Sequence, residues 1–551
     1  MAVFERERSA KLTLDDSIPL YCFIETSQNV KDHTEYVIRV QRGPLSDKSW
    51  KIMKRYSDFV ALDYYLKFTT IELTLPPKKV FGNKEREFIA ERQRGLQNYL
   101  NSILSYPCLA NCLEVKRFLD YENYKENFLE KALEHVSMMF RADPTWQVVE
   151  AIPDIGWRIR KEYVLTRQVS NPKGRYVLSW TVYGPDAPLG DKYFQSSLEL
   201  LSQFQHDFIG KIDRVLSNTS GALVVREFYE GGTLKDIIYK SKPKVSYLKK
   251  YASIKKCTPL DYVTIRTYSK QIITTLKYLY EKGYCYGHLH TGNVAVVDGK
   301  CKLLDLENFL LGVPSQYRPY YTQYRKIQTL EQIDVYNFGH TLYEMAIGKP
   351  LMSPICQSFP IECQPDIRSI LESILTSEAC KNGLPTLEQL LQHPFLSSAP
   401  NTLSTKPIIK IPRKLKESLR EAELNFEARL REEQKTISQQ KKIEKSRDFH
   451  MSDTEKQKRK KALKKSGSIM EKSSENSNVV EEEPKQNGTA PPPPVPQAPP
   501  PPAPPSLDSS SETAKSPPEN SNRSAFLGSI ASFNKTGLKK TTTVDKSAPK
   551  L

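Results

Sequence analysis

Residues 491–505 read PPPPVPQAPPPPAPP, and eleven of these fifteen positions are Pro. Each Pro ring fixes φ and removes a backbone donor, so no helix or sheet interior can form there and polyproline II remains. Such a tract is a stiff spacer or a ligand for aromatic-lined grooves, as in SH3-type proteins or profilin. Residues 466–490 before it are rich in Ser, Glu and Asn and too poor in apolar side chains to bury a core. Folded structure is therefore expected N-terminal to this region. From residue 1 to about 395, aromatic and aliphatic residues recur and Pro is sparse. At roughly 150 residues per domain, that length holds two or three domains.

The net charge of +17 suits an anionic partner: a phospholipid surface, an acidic protein such as actin, or nucleic acid. The nine Cys are dispersed, with no Cys-x-x-Cys, which argues against a zinc site and fits reduced cytosolic thiols. The opening MAVFERERSA has no apolar signal core, and no run of about 18 apolar residues occurs. The expected location is cytoplasmic, with any membrane contact peripheral.

Between 411 and 445, Leu415, Leu419, Ala422, Phe426, Leu430 and Ile437 fall at helical spacing in a charged background. Either a solvated helix packing one stripe on the preceding domain or a short coiled coil satisfies that pattern. KQKRKKALKK (456–465) follows. It reads as a nuclear signal, a nucleic-acid patch, a lipid-headgroup patch or a solvated tail. No aromatic residue lies inside it to stack on bases, so no nucleic-acid partner is expected.

Near the N-terminus, TEYVIRVQRG and SWKIMKRY alternate like two strands. A helix with Phe59, Leu62 and Leu66 on one face follows. Pro76 and Pro77 then impose an extended loop in LPPKKVFGN, and 88–104 is an amphipathic helix. Cationic residues fall at the junctions, where they can converge on a multiply charged headgroup. KRYSDF, LPPKK and ERQRGLQNYL in that order resemble the PX (phox-homology) domain over 14–124. The resemblance implies that Arg55 binds the 3-phosphate and Tyr56 packs under the inositol. Lys78, with Lys79 as its stand-in, would meet the 1-phosphate, and Arg92 the 4- and 5-hydroxyls. The implied ligand is phosphatidylinositol 3-phosphate in a membrane, with Val80–Phe81 dipping into the interface.

DVYNFGHTLYEMAIGKP (334–350), LPTLEQLLQHPFL (384–396) and the stretch 268–308 between the lobes' expected landmarks resemble protein kinases. The implied fold over 149–398 is bilobal, with Asp334 holding the catalytic-loop backbone. Phosphoryl transfer needs a Gly-rich phosphate loop, a strand Lys with its Glu partner, a catalytic Asp and metal-binding Asn and Asp. Matched residue by residue, Trp180 stands at the Lys position and Ser197 at the Glu position. His288 replaces the catalytic Asp. VLTRQVSNPKG offers no GxGxxG. Asn293 and Asp305 remain as a possible residual nucleotide and magnesium site. The reading is a pseudokinase with no cofactor; the alternative is an atypical serine/threonine kinase acting at membranes.

RSAFLGSIASFNKTGLKK (523–540) places Phe526, Leu527, Ile530 and Phe533 on one helical face before Leu538, Lys539 and Lys540. This resembles the actin-binding WASP-homology-two motif, which implies that Leu527 and Ile530 enter an actin cleft while Leu538-Lys539-Lys540 runs along its acidic face. The expected organisation is multidomain α+β: a PX domain of three strands plus helices (14–124), a linker (125–148), a bilobal kinase-like domain (149–398), a charged helical and basic segment (399–465), a disordered Pro-rich stretch (466–522) and an actin-binding tail (523–551). This order resembles a family of PX-bearing pseudokinases that act in trafficking and signalling at endosomal or plasma membranes. From that resemblance alone come a link to the sodium–potassium ATPase and one to receptor endocytosis.

Overall fold

The computed structural model describes residues 14–30, 33–43, 48–78, 85–186, 191–252, 257–400 and 411–470. Met1–Ser466 form one compact unit. The Pro-rich stretch and the tail residues Leu527, Ile530, Leu538, Lys539 and Lys540 lie outside the described residues, as do Lys79, Val80 and Phe81.

Three antiparallel strands open the fold: β1 (Leu20–Val30), β2 (His33–Arg42) and β3 (Ser49–Arg55), in the order β1-β2-β3. Alternation decides which face is covered. Leu20, Cys22, Ile24, Tyr36, Ile38 and Val40 point into the core. Helices α1 (Tyr56–Leu66), α2 (Arg86–Ser105) and α3 (Leu113–Leu119) cover them with Phe59, Leu62, Leu96, Leu100 and Phe118.

The segment expected as a linker is built structure. Asn127 caps α4 (Phe128–Ala142) by accepting from the Glu130 amide at 3.2 Å. Ala132 and Val136 of α4 then pack against Trp146, Val164 and Trp180 on the next sheet. The small apolar residues at i and i+4 make this stripe. That sheet is antiparallel, with order β4-β5-β6-β8-β7. Its strands are β4 (Trp146–Ala151), β5 (Lys161–Gln168), β6 (Asn171–Val182), β7 (Ile212–Ser217) and β8 (Gly221–Glu227), and helix α5 (Asp191–Leu201) lies between β6 and β7 in sequence.

The second lobe is helical. It contains α6 (Tyr247–Tyr251), α7 (Tyr262–Glu281), the ribbon of β9 (Val294–Val297) and β10 (Lys300–Leu303), and α8 (Leu330–Ile347). Thr329 and Gln332 form a capping box at the start of α8, and Gly348 ends it at φ 76°, which a side chain would strain. The N-terminal module and this lobe share a core: Leu248 and Ala252 pack among the residues of the three-stranded module, and the Thr70 amide donates to the Ala252 carbonyl at 3.2 Å.

Helix α9 (Arg413–Met470) forms where helical periodicity was expected. Its stripe of Leu415, Leu419, Ala422 and Leu430 joins the core of the helical lobe. The chain therefore follows the packed-helix reading rather than the coiled coil. Glu427 accepts from the Leu330 amide at the start of α8 (3.2 Å), and Gln434 donates to the carbonyls of Tyr324 (2.9 Å) and Ile327 (2.8 Å). The bond to Leu330 satisfies an amide that the first turn of α8 leaves without an intrahelical partner.

One buried carboxyl makes this fold sensitive to pH. Glu162, on β5, is 8% exposed. Burial, and then the charge of Asp154, pushes its pKa from 4.5 up to about 8. A raised acid pKa stabilises the fold fully below the ordinary value and loses that contribution as pH rises through the folded one. The Glu162→Gln variant should therefore track the parent below pH 4.5 apart from a constant offset, then gain on it, by roughly 3 kcal/mol or more at pH 9. Urea unfolding at both pH values checks this; a difference that does not change with pH contradicts it.

Candidate functional site

At the N-terminal module, chain direction is set by packing. Pro76 sits against α2 at Gly95, where a Cβ would lie 2.5 Å from the Pro76 ring. The Pro loop is thereby held beside β3. Tyr56, the first residue of α1, donates its hydroxyl to the Pro76 carbonyl at 2.5 Å. The Arg92 guanidinium lies 4.3 Å from the ring centroids of both Tyr56 and Phe88, and its Nη2 donates to the Pro77 carbonyl at 3.2 Å. Its Nε is buried without a partner. Three of the expected ligand elements thus meet: Tyr56, Arg92 and the Pro loop. Arg55 is exposed at the N-terminus of α1, and Lys78 is exposed at the end of the described loop. A planar cation held between two rings is preorganised for a polyol or phosphate edge.

The second site is the cleft between the five-stranded sheet and the helical lobe. It encloses about 130 Å³. Its lining includes Trp157, Tyr163, Val177, Ser179, Arg226, Tyr229, Asn293 and Asp305. Two expectations need correction here. Trp180 does not occupy the phosphate-facing Lys position. Its ring stacks on His135 of α4 at 4.4 Å, on the outer face of the sheet, and strand alternation turns Val177 and Ser179 into the cleft instead. Nor is VLTRQVSNPKG the segment over the cleft. It consists of β5, a tight turn and β6, and the connection that covers the cleft is 152–160, with Gly156 as its one glycine.

The cleft's cations come from positions that the sequence reading passed over. Lys161 enters from β5, at the register position opposite Thr181. Its Nζ lies 2.8 Å from Asp305 Oδ2 and 3.1 Å from Glu307 Oε1. Arg226, on β8, places Nη1 2.7 Å from Asp305 Oδ1 and Nη2 2.6 Å from Glu307 Oε1. Both oxygens of Asp305 are thus engaged by side-chain cations, and all four residues are buried. Burial alone would raise the Asp305 pKa, but Lys161 and then Arg226 outweigh it and hold the carboxyl well below its ordinary value. Asp305 keeps a left-handed backbone (φ 59°). Ser197, expected at the Glu position, donates back to the Tyr193 carbonyl at 2.7 Å along its own helix.

The catalytic-loop region keeps its frame and loses its base. Asp334 accepts from the Gly287 amide at 2.8 Å, as expected, and burial raises its carboxyl to about 7. His288 meets Arg158 from the covering connection, with Nη2 3.3 Å from Nδ1. A guanidinium can only donate, so Nδ1 accepts, and a neutral ring then carries its proton on Nε2. Burial and then Arg158 hold the His288 pKa well below the usual range. No lone pair is left to take a proton from a hydroxyl. Asn293 donates to the His288 carbonyl at 3.1 Å, an internal loop bond.

The residues present do not fit a magnesium–nucleotide pair. The one carboxylate retained for the metal has both oxygens bound, to Lys161 and Arg226. Among the described residues there is no cluster of three or more metal-ligating side chains.

Three family models match the chain: a PX domain over 44–122, a protein tyrosine and serine/threonine kinase over 187–359, and a WH2 motif over 520–548. The protein is thus a PX domain joined to a kinase-like domain, followed by a WH2 motif. The mouse PX domain-containing protein kinase-like protein is 52% identical over 443 residues, covering 80% of this chain and 76% of its own length. The chain belongs to that family of PX domain-containing protein kinase-like proteins. It is also similar to the Slowpoke-binding protein of Drosophila melanogaster, at 31% identity over 236 residues (41% of this chain, 45% of that one). The probable inactive serine/threonine-protein kinase slob2 of Dictyostelium discoideum is 35% identical over 182 residues (32% and 30%).

Proposed function

We propose that the protein is a non-catalytic adaptor at phosphoinositide membranes. The PX domain would bind phosphatidylinositol 3-phosphate through Arg55, Tyr56, Lys78 and Arg92. The kinase-like body would hold a protein partner, and Leu527, Ile530, Leu538, Lys539 and Lys540 would bind actin, with the Pro tract feeding profilin or engaging SH3-type proteins. One relative carries the name of a Slowpoke-binding protein, which supports a protein-holding role for the kinase-like body; the sodium–potassium ATPase is the partner implied by the family resemblance. Peripheral attachment at endosomal or plasma membranes accords with the described helices, none of which is long and apolar enough to cross a bilayer.

The observation that carries the reading is the ion quartet of Lys161, Arg226, Asp305 and Glu307. It puts protein cations where phosphoryl transfer needs a free metal carboxylate. The rival, an atypical serine/threonine kinase, draws on the retained Asn293 and Asp305. Phosphate transfer from labelled ATP separates them, with the full chain on vesicles containing phosphatidylinositol 3-phosphate. No label above background is expected on the chain or on a protein acceptor. Transfer that Asp305→Asn abolishes would establish the kinase instead.

A further inference from the structure

Helix α9 is two things in sequence. Up to Lys441 it is welded to the helical lobe. Its apolar stripe is buried there, Glu427 and Gln434 serve that lobe's backbone, Glu433 pairs with Arg318 at 2.8 Å, and Lys441 reaches Gln323 at 2.8 Å. Past that contact the helix runs on to Met470. At 1.5 Å per residue, the distal part extends for about 40 Å. It carries KQKRKKALKK, seven cations in ten residues with no acidic residue among them.

We propose that the distal part of α9 is a second membrane contact: an arm, fixed to the kinase-like body, that presents residues 456–465 to an anionic phospholipid surface. Two arguments favour a bilayer. The run has seven cations in ten residues and no aromatic residue, which suits a diffuse anionic surface rather than base stacking. And a single peripheral contact gives marginal membrane residence, whereas two contacts on one chain multiply through effective concentration. The second argument rests on the PX domain being the first contact; the first does not.

Co-sedimentation of the full chain with three kinds of vesicle tests this: phosphatidylcholine alone, phosphatidylcholine with phosphatidylserine, and the latter with phosphatidylinositol 3-phosphate added. Binding to the phosphatidylserine vesicles is expected without any phosphoinositide, and to fall steeply with salt. A variant with Lys458→Gln, Arg459→Gln, Lys460→Gln and Lys461→Gln should lose it, by about fivefold per cation and on the order of several hundredfold in all. Arg55→Ala should remove the increment from the phosphoinositide. A helix break by Arg447→Pro with Asp448→Gly keeps the basic run and the net charge and should cost the combined vesicles their extra affinity. Equal binding of the four-Gln variant and the parent to phosphatidylserine vesicles would overturn the proposal. So would a run that binds single-stranded RNA while leaving vesicle binding unchanged on neutralisation. Failure of Arg55→Ala to remove the phosphoinositide increment would instead count against the PX assignment alone.

Discussion

The full chain carrying Arg226→Ala should be less stable than the parent by about 3–5 kcal/mol, the usual cost of removing one partner from a buried ion pair. Arg226 touches both Asp305 and Glu307, so its loss leaves Glu307 with Lys161 alone and Asp305 with one engaged oxygen. Glu307 is fully buried and already has one oxygen, Oε2, without a partner. The effect is a desolvation penalty rather than the intrinsic strength of the pair. For that reason Arg226→Met combined with Glu307→Met should recover most of the loss, because replacing both partners by apolar groups of similar size is often near neutral. Urea unfolding of the three proteins gives the comparison. A single variant within about 1 kcal/mol of the parent would mean that the quartet is solvated and loosely held, and would remove the basis for reading it as a lock.

A chain ended at Pro400 should fail to reach the native state. The obvious boundary, the close of the kinase-like pattern at 384–396, leaves out α9. Yet Leu415, Leu419 and Leu430 are buried in the lobe's core. Each buried Leu is worth about 2–5 kcal/mol against truncation, so three approach the total stability of an ordinary domain, about 5–15 kcal/mol. Glu427 and Gln434 add bonds to the Leu330 amide and to the Tyr324 and Ile327 carbonyls. A chain ended at Lys442 keeps all of these and should melt with the parent. Near-ultraviolet dichroism and thermal unfolding distinguish them; a cooperative transition for the shorter chain, at the parent's temperature, would contradict the packing account.

Much of this was legible in the residues. The β1–β3 module could be read because alternation and the Pro76–Pro77 break are local signals. The frame of the helical lobe was legible from the kinase-like patterns DVYNFGHTLYEMAIGKP and LPTLEQLLQHPFL; the structure adds the Thr329–Gln332 box and Gly348 that bound the first of them as a helix. The stripe on α9 was visible as well, though not that it completes a core. What escaped was side-chain direction. A one-residue offset on β6 decides whether Trp180 or Ser179 faces the cleft, and VLTRQVSNPKG holds a hairpin turn at 169–170 rather than the connection over the cleft. The cations Lys161 and Arg226 did carry a signal: each flanks an apolar run in its strand, YVL after Lys161 and ALVV before Arg226, where an unpaired buried charge would be costly. Their partners, some 80 to 150 residues away, are set by tertiary structure alone. Arg158 on His288 is of the same kind, with 130 residues between them.

The lock on Asp305 is most directly tested by thermal unfolding of the full chain titrated with ATP and magnesium. A ligand at a hundred times its dissociation constant adds about 2.7 kcal/mol to the folded state. The account expects no displacement of the transition at millimolar ATP, with or without magnesium, in the parent and in Asp305→Asn alike beyond their own offset. A magnesium-dependent rise of several degrees in the parent, lost in Asp305→Asn, would show that Asp305 releases Lys161 and Arg226 to take a metal, and would contradict it.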